Sequence, residues 1–160
     1  MSGKTRFSQI PIDQVPTPGP HDTLDEKSTY KPIVMVVDDE SIIADTLTEI
    51  LVRSGYAAVA AYDGEEAFEK ALMSPPELVI ADVMLPGMSG IDLAIKIKSV
   101  FPDCHILLFS GQASTADLLA SANKQGHRFA MLSKPVHPSQ LLTHVSESFK
   151  SRRQNAVARN

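Results

Sequence analysis

Ile33-Val34-Met35-Val36-Val37-Asp38-Asp39-Glu40 is a run of five apolar residues that ends abruptly on three carboxylates. A strand with one face in water would alternate apolar and polar residues. An unbroken apolar run instead fits a strand of a parallel sheet covered on both faces. Three more stretches repeat the arrangement: Leu78-Val79-Ile80-Ala81 before Asp82, Ile106-Leu107-Leu108-Phe109 before Ser110, and Phe129-Ala130-Met131-Leu132 shortly before Lys134. Asp38, Asp39, Asp82, Ser110 and Lys134 thus all stand just past strand ends, where one sheet edge can bring them together.

The intervening segments read as helices. Ile43, Leu47, Ile50 and Leu51 form one stripe, closed at Ser54-Gly55, where glycine can take the left-handed C-terminal conformation. A strand from Ala57 to Tyr62 follows. Asp63-Gly64-Glu65-Glu66 then reads as a capping box, opening a helix that ends before Pro75-Pro76. Ser89 caps a helix carrying Ile91, Ala94, Ile95 and Ile97, which stops before Phe101-Pro102 because a residue preceding proline disfavours the α region. Ser114 with Asp117 starts a helix through Leu118, Leu119 and Ala122 toward Gly126, and His137-Pro138 opens a last one burying Leu141, Leu142, Val145 and Phe149. Five strands alternating with five helices predict an α/β fold, a flavodoxin-like, doubly wound (βα)5 domain whose five-stranded parallel sheet has the order 2-1-3-4-5. In such a sheet a ligand binds outside the C-terminal strand ends, where the winding reverses between strands 1 and 3.

The 160 residues suit one domain with tails, and 43% hydrophobic with 21% charged residues is an ordinary globular composition. Residues 1–31 carry Pro11, Pro16, Pro18 and Pro20 among polar residues with no usable period, and are expected to be a disordered, proline-rich extension. Residues 32–150 form the domain and 151–160 a basic C-terminal tail. No apolar stretch approaches the roughly 20 residues of a membrane helix, and the N-terminus lacks a secretory signal, so no membrane partner and a cytoplasmic location are expected. A net charge of −4 argues against a broad nucleic-acid face, and the short basic cluster around Arg152 and Arg153 reads as a solvated helix end. Cys104, the single cysteine, has no disulfide partner and reads as a small buried residue. The histidines lack metal-ligand spacing.

Three carboxylates in one crevice repel each other, so keeping them ionised takes a cation, or else a raised pKa on at least one. Oxygen-only donors favour Mg²⁺, held directly by Asp39 and Asp82 and through water by Asp38. Asp82 can also act as a nucleophile toward phosphorus, with the Lys134 ammonium and the Ser110 hydroxyl offsetting charge on the phosphoryl oxygens. No Gly-rich phosphate loop is present, so the donor is expected to arrive activated rather than as ATP bound to this chain.

Val36-Val37-Asp38-Asp39-Glu40, Asp82-Val83-Met84-Leu85-Pro86-Gly87-Met88-Ser89-Gly90, Ser110-Gly111 and Lys134-Pro135, in that order and on those strands, resemble a response-regulator receiver domain of two-component signalling. The resemblance covers roughly Pro32 to Lys150. It implies that a histidine kinase or phosphotransfer protein supplies the phosphoryl group, that Asp82 accepts it, and that the domain then changes its affinity for a downstream protein target. It also implies that the Met84 backbone carbonyl is a metal ligand and that Lys134-Pro135 is a cis peptide. In the family, an aromatic residue three before the lysine changes rotamer with phosphorylation; here that position is Met131, with Phe129 two residues earlier on the same strand face.

The expected function is therefore a phosphoacceptor response regulator of a two-component or phosphorelay system, switched by Mg-dependent phosphorylation of Asp82. It would be no turnover enzyme, catalysing only its own phosphorylation and dephosphorylation. The Met131 departure leaves a phosphorylation-independent binding module, a pseudo-receiver, as the alternative. The sequence stops soon after the fifth helix, so output is expected through protein contact, without nucleic acid, with a homodimer through helices 4 and 5 also open to it.

Overall fold

The computed structural model describes residues 30–111 and 115–159. The expectations of a disordered leader and of a Ser114 cap lie outside those residues. Five strands alternate with five helices: β1 Ile33–Val37, α1 Ser41–Arg53, β2 Ala57–Ala61, α2 Gly64–Met73, β3 Leu78–Asp82, α3 Gly90–Val100, β4 His105–Ser110, α4 Thr115–Lys124, β5 Ala130–Ser133 and α5 Pro138–Ala158. All strand pairs are parallel, and the order is β2-β1-β3-β4-β5, as the alternation of elements implied.

Strand alternation sorts the core into two layers. Met35, Val37, Val79, Ala81, Ile106 and Leu108 pack with Ala67 and Ala71 of α2, Ile91, Ala94 and Ile97 of α3, and Ala122 of α4. Val34, Val36, Leu78, Ile80, Leu107 and Phe109 face the other way, onto Leu47 and Leu51 of α1 and Leu141 and Val145 of α5. Both faces of the central strands are thus covered, which is why their sequences show no polar alternation.

Local chemistry sets the helix starts. Asp63 Oδ1 accepts from Glu66 N at 2.7 Å, while Glu66 Oε2 reaches back to Tyr62 N at 2.8 Å, one residue before the partner of an ideal capping box. Ser89 Oγ accepts from Asp92 N at 3.1 Å. His137 Nδ1 accepts from Ser139 N at the start of α5, with Pro138 in its first turn.

Some boundaries differ from the expectation: β2 ends at Ala61 rather than Tyr62, and two larger differences follow. The boundary set between a domain ending at residue 150 and a basic tail falls inside α5, which continues to Ala158 and takes in most of the residues assigned to that tail. No glycine or proline interrupts Ser139 to Ala158, and Lys150, Arg152, Arg153 and Gln154 are good helix formers. Within this helix Phe149 stacks on Tyr56, ring centroids 5.7 Å apart, and Arg152 lies 3.7 Å from Glu77, just before β3. β5 starts at Ala130 rather than Phe129, pairing with Leu107. β5 is an edge strand, half-exposed along its length, so its apolar run marks its start less sharply than in the central strands. Among the described residues no helix is long and apolar enough to cross a membrane.

Candidate functional site

The register of the sheet assembles the site. Val37 pairs with Ala81, which sets Asp38 beside Asp82 at the C-terminal ends of β1 and β3. Asp82 in turn pairs with Phe109, and Ser110 with Ser133, the residue before Lys134. Because side chains alternate along each strand, Asp38 follows Val34 and Val36, and Asp82 follows Leu78 and Ile80, onto the layer beneath α1 and α5. Phe109 and Leu132 lie in that same layer, and the alternation carried past Leu132 brings Lys134 to it. Ser110 has the opposite parity.

Lys134 is the hub. Its Nζ donates to Asp82 Oδ2 at 2.7 Å and to Asp38 Oδ2 at 3.2 Å, joining groups 52 and 96 residues away in sequence. Asp82 Oδ1 accepts from Met84 N at 3.0 Å, and Asp38 Oδ1 from Glu40 N at 2.9 Å. Asp38 is fully buried, Asp82 and Ser110 are each only 7% exposed, and Asp39 is exposed. Burial raises the Asp38 carboxyl above its ordinary value, because desolvation outweighs the Glu40 N–H and the Lys134 ammonium that favour its ionised form. Burial works against the charge of Lys134, but its bond to Asp82 and the charges of both carboxylates prevail and hold the ammonium above its ordinary value. Among the described residues no buried side-chain polar atom lacks a hydrogen-bond partner.

The structure therefore brings together Asp38, Asp39, Asp82 and Lys134, with Ser110 buried at the adjoining strand end. Asp38, Asp39 and Asp82 each offer an oxygen, and these atoms all lie within 4.8 Å of one another, a cluster able to hold a metal ion. Hard oxygen donors in a tight group fit a small divalent cation. The neighbouring carboxylates differ, however: both Asp38 oxygens already accept protein donors, whereas Asp39 stands open to solvent. Lys134-Pro135 is a cis peptide, as the resemblance implied.

Three contributors were not singled out from sequence. Gly90 opens α3 beneath the Asp82 main chain; a Cβ there would sit 2.0 Å from the Asp82 carbonyl oxygen. A glycine directly after the Ser89 cap was the available signal, since glycine marks close backbone approach. The N–H of Met84 orients the Asp82 carboxylate through a local turn that side-chain pattern does not encode. Phe109 places its ring under the Lys134 ammonium, 4.9 Å from centroid to Nζ; it read as a core residue, and only the fold shows what lies above it.

Comparison with known proteins gives the family of this fold. The response regulator receiver domain family matches residues 34–146, and the chain belongs to that family. These residues form a receiver domain of a two-component response regulator, a signalling module. The chain is 34% identical over 115 residues to the alkaline phosphatase synthesis transcriptional regulatory protein PhoP of Bacillus subtilis, covering 70% of this chain and 46% of that protein. It is 36% identical over 93 residues to the probable transcriptional regulatory protein TcrX of Mycobacterium tuberculosis, covering 58% and 40%. The chain thus spans less than half the length of these curated relatives. A solved CheY-like receiver domain protein from Methanospirillum hungatei superposes with a TM-score of 0.72 at 26% identity, covering 79% of this chain and 99% of that one.

Proposed function

We propose that this receiver domain is switched by Mg²⁺-dependent phosphorylation of Asp82, donated by a histidine kinase or phosphotransfer protein, and that the switch changes its affinity for a protein partner. The observation that carries the reading is the placement of Asp82: a nearly buried carboxylate with an ammonium 2.7 Å from one oxygen and two further carboxylates at hand. Asp39 and Asp82, with the Met84 carbonyl, would hold the metal, and the fully buried Asp38 would act through water. When bound, Mg²⁺ supplies positive charge against the phosphoryl oxygens and lines up donor and acceptor.

The residues of the chain do the rest. An Asp82 oxygen forms a bond to phosphorus while the bond from phosphorus to the donor's leaving group breaks, and the leaving group departs with that electron pair. The charge gathering on the phosphoryl oxygens is met by the Lys134 ammonium and by the Ser110 hydroxyl, placed one strand over. Little else is needed, because phosphoryl transfer depends chiefly on positioning and electrostatics. The domain then remains covalently modified, a role distinct from that of a turnover enzyme.

One observation favours a second reading, a phosphorylation-independent binding module. Met131 stands where the family uses an aromatic switch, and, like Phe129, it packs half-buried against the core layer on the α2–α4 side of the sheet. Methionine repacks without the two defined positions of a ring. Incubation with Mg²⁺ and acetyl phosphate separates the readings. The switch predicts a stoichiometric acid-labile adduct that disappears in Asp82→Asn. Absence of the adduct from the unaltered protein would favour the inert module, and labelling that persists in Asp82→Asn would remove Asp82 as acceptor.

A further inference from the structure

The ammonium of Lys134 has three surroundings that the fold supplies: the Asp82 oxygen at 2.7 Å, the Asp38 oxygen at 3.2 Å, and the face of the Phe109 ring, whose centroid is 4.9 Å away. The first two are charges. The third is neutral, and it is the one that the site chemistry does not call for.

Phe109 is well placed for more than packing. It is the last large residue of β4 before Ser110, 2% exposed, and its carbonyl accepts from Val83 N at 3.1 Å, directly beyond Asp82. Its strand position is thus pinned to the same backbone that carries the acceptor carboxylate. The ring shares a cavity of about 440 Å³ with Ile43, Leu47, Pro135, Val136 and Lys134, all apolar except the lysine. A lysine crossing an apolar hollow has several rotamers open to it, and the side chain of Lys134 retains 23% exposure. Hydrogen bonds to the two carboxylates hold the ammonium from the acidic side, and the apolar hollow that the lysine also lines offers it no charge. A ring face adds a directional partner: its quadrupole attracts a cation lying over the face within about 6 Å, and the attraction grows as water is excluded. An aliphatic side chain at position 109 would fill the space and leave that direction unset.

We infer that Phe109 is a positioning residue for Lys134, its ring face holding the ammonium at Asp82 and Asp38 by a cation–π contact. The inference rests on the reading that Lys134 assists phosphorylation of Asp82, and it assigns to the neighbouring strand a part in that assistance. It also separates the two functions of β4: Ser110 serves the phosphoryl group from one face, and Phe109 serves the lysine from the other.

Ring electronics can be varied at almost constant shape. The full chain is prepared with phenylalanine, 4-fluoro-, 3,5-difluoro-, 3,4,5-trifluoro- and pentafluorophenylalanine at position 109. Each addition of fluorine withdraws electron density from the ring face. Two quantities are measured: the rate of labelling by acetyl phosphate with Mg²⁺, and the titration midpoint of Lys134, followed by NMR at Cε in metal-free protein. The labelling rate is expected to fall steadily along the series, by roughly two- to five-fold overall, with the Lys134 midpoint falling alongside it. Phe109→Leu, which removes the ring face without reversing its field, should fall between phenylalanine and the most fluorinated member. A purely structural role predicts a flat series, since the fluorinated rings fill nearly the same space. Flat values for both quantities across the series would overturn the inference while leaving phosphorylation of Asp82 standing. Should the unaltered protein not be labelled at all, the functional reading fails, and the Lys134 midpoint alone still decides the role of Phe109: a graded fall supports it and a constant midpoint refutes it.

Discussion

Replacing Gly90 by alanine puts a methyl group against the main chain that carries Asp82. An ideal Cβ at position 90 would lie 2.0 Å from the Asp82 carbonyl oxygen, 2.8 Å from its carbon and 2.9 Å from Val83 Cα. Ordinary contact begins at 3.4 Å, so the α3 start and the β3 end must part by about 1.4 Å. The obstacle is backbone on both sides, and no side-chain rotamer can relieve it. Overpacking of this kind costs about 1–3 kcal/mol or more, while alanine near a helix start returns up to about 1 kcal/mol through propensity and a less mobile unfolded chain. A net loss of about 1–2 kcal/mol is expected, read as a lower urea midpoint at unchanged slope. The functional effect should be larger. A shift of that size breaks the Gly90 N to Val83 O bond, now 2.9 Å, and carries Asp82 away from the Lys134 ammonium at 2.7 Å. Misplacement of about 1 Å in a reacting group can cost about 10²-fold in rate, so acetyl phosphate labelling should fall by that order. Gly87→Ala is the control. Gly87 has φ +75°, and the nearest atoms to its Cβ are Glu65 carboxylate oxygens at 3.6 and 3.8 Å, so its cost comes from backbone conformation rather than collision. A Gly90→Ala protein with the stability and labelling rate of the unaltered chain would refute the packing argument.

Lys134→Ala leaves the buried Asp38 and Asp82 carboxylates facing each other without the ammonium. A loss of about 3 kcal/mol is expected in metal-free buffer, partly restored by millimolar Mg²⁺; equal losses with and without the ion, by urea titration, would contradict a shared cation site. His105 is half-buried at the start of β4, and burial, then the charges of Lys98 and Arg152, lower its pKa against the opposing pull of Asp103. The unfolded chain therefore takes up a proton near the ordinary value of about 6.5 before the folded one does, so its contribution is lost as pH falls from there toward the lowered folded value. His105→Gln should flatten the stability profile between pH 7 and 5, and an unchanged profile would contradict the shift. Cys104 is 3% exposed and burial pushes its thiol up to about 11, so a thiol reagent at pH 8 should label the native protein at least about a hundred-fold more slowly than the urea-unfolded chain.

Much of this molecule is local chemistry written in order. Continuous apolar runs at β1, β3 and β4 mark strands covered on both faces, and alternation with helices then leaves few sheet orders. Asp63, Ser89 and His137 cap helices with partners two or three residues away, so each could be read in place. The candidate site was legible to the same extent, as polar residues ending strands. The different roles expected of Asp38 and Asp39 were stated from sequence, but their surroundings came only from the tertiary structure: adjacent residues point in different directions at a strand end, one into full burial with both oxygens engaged, the other into solvent. It alone set Gly90 against the Asp82 carbonyl and Phe109 under Lys134, because collisions and ring contacts between residues 8 and 25 positions apart leave no period in the chain. The length of α5 was settled the same way, where Phe149 and Arg152 find Tyr56 and Glu77 across the fold. Propensity and capping act over a few residues and are therefore readable in sequence; the meeting of distant groups is decided when the sheet closes its register and the two layers pack.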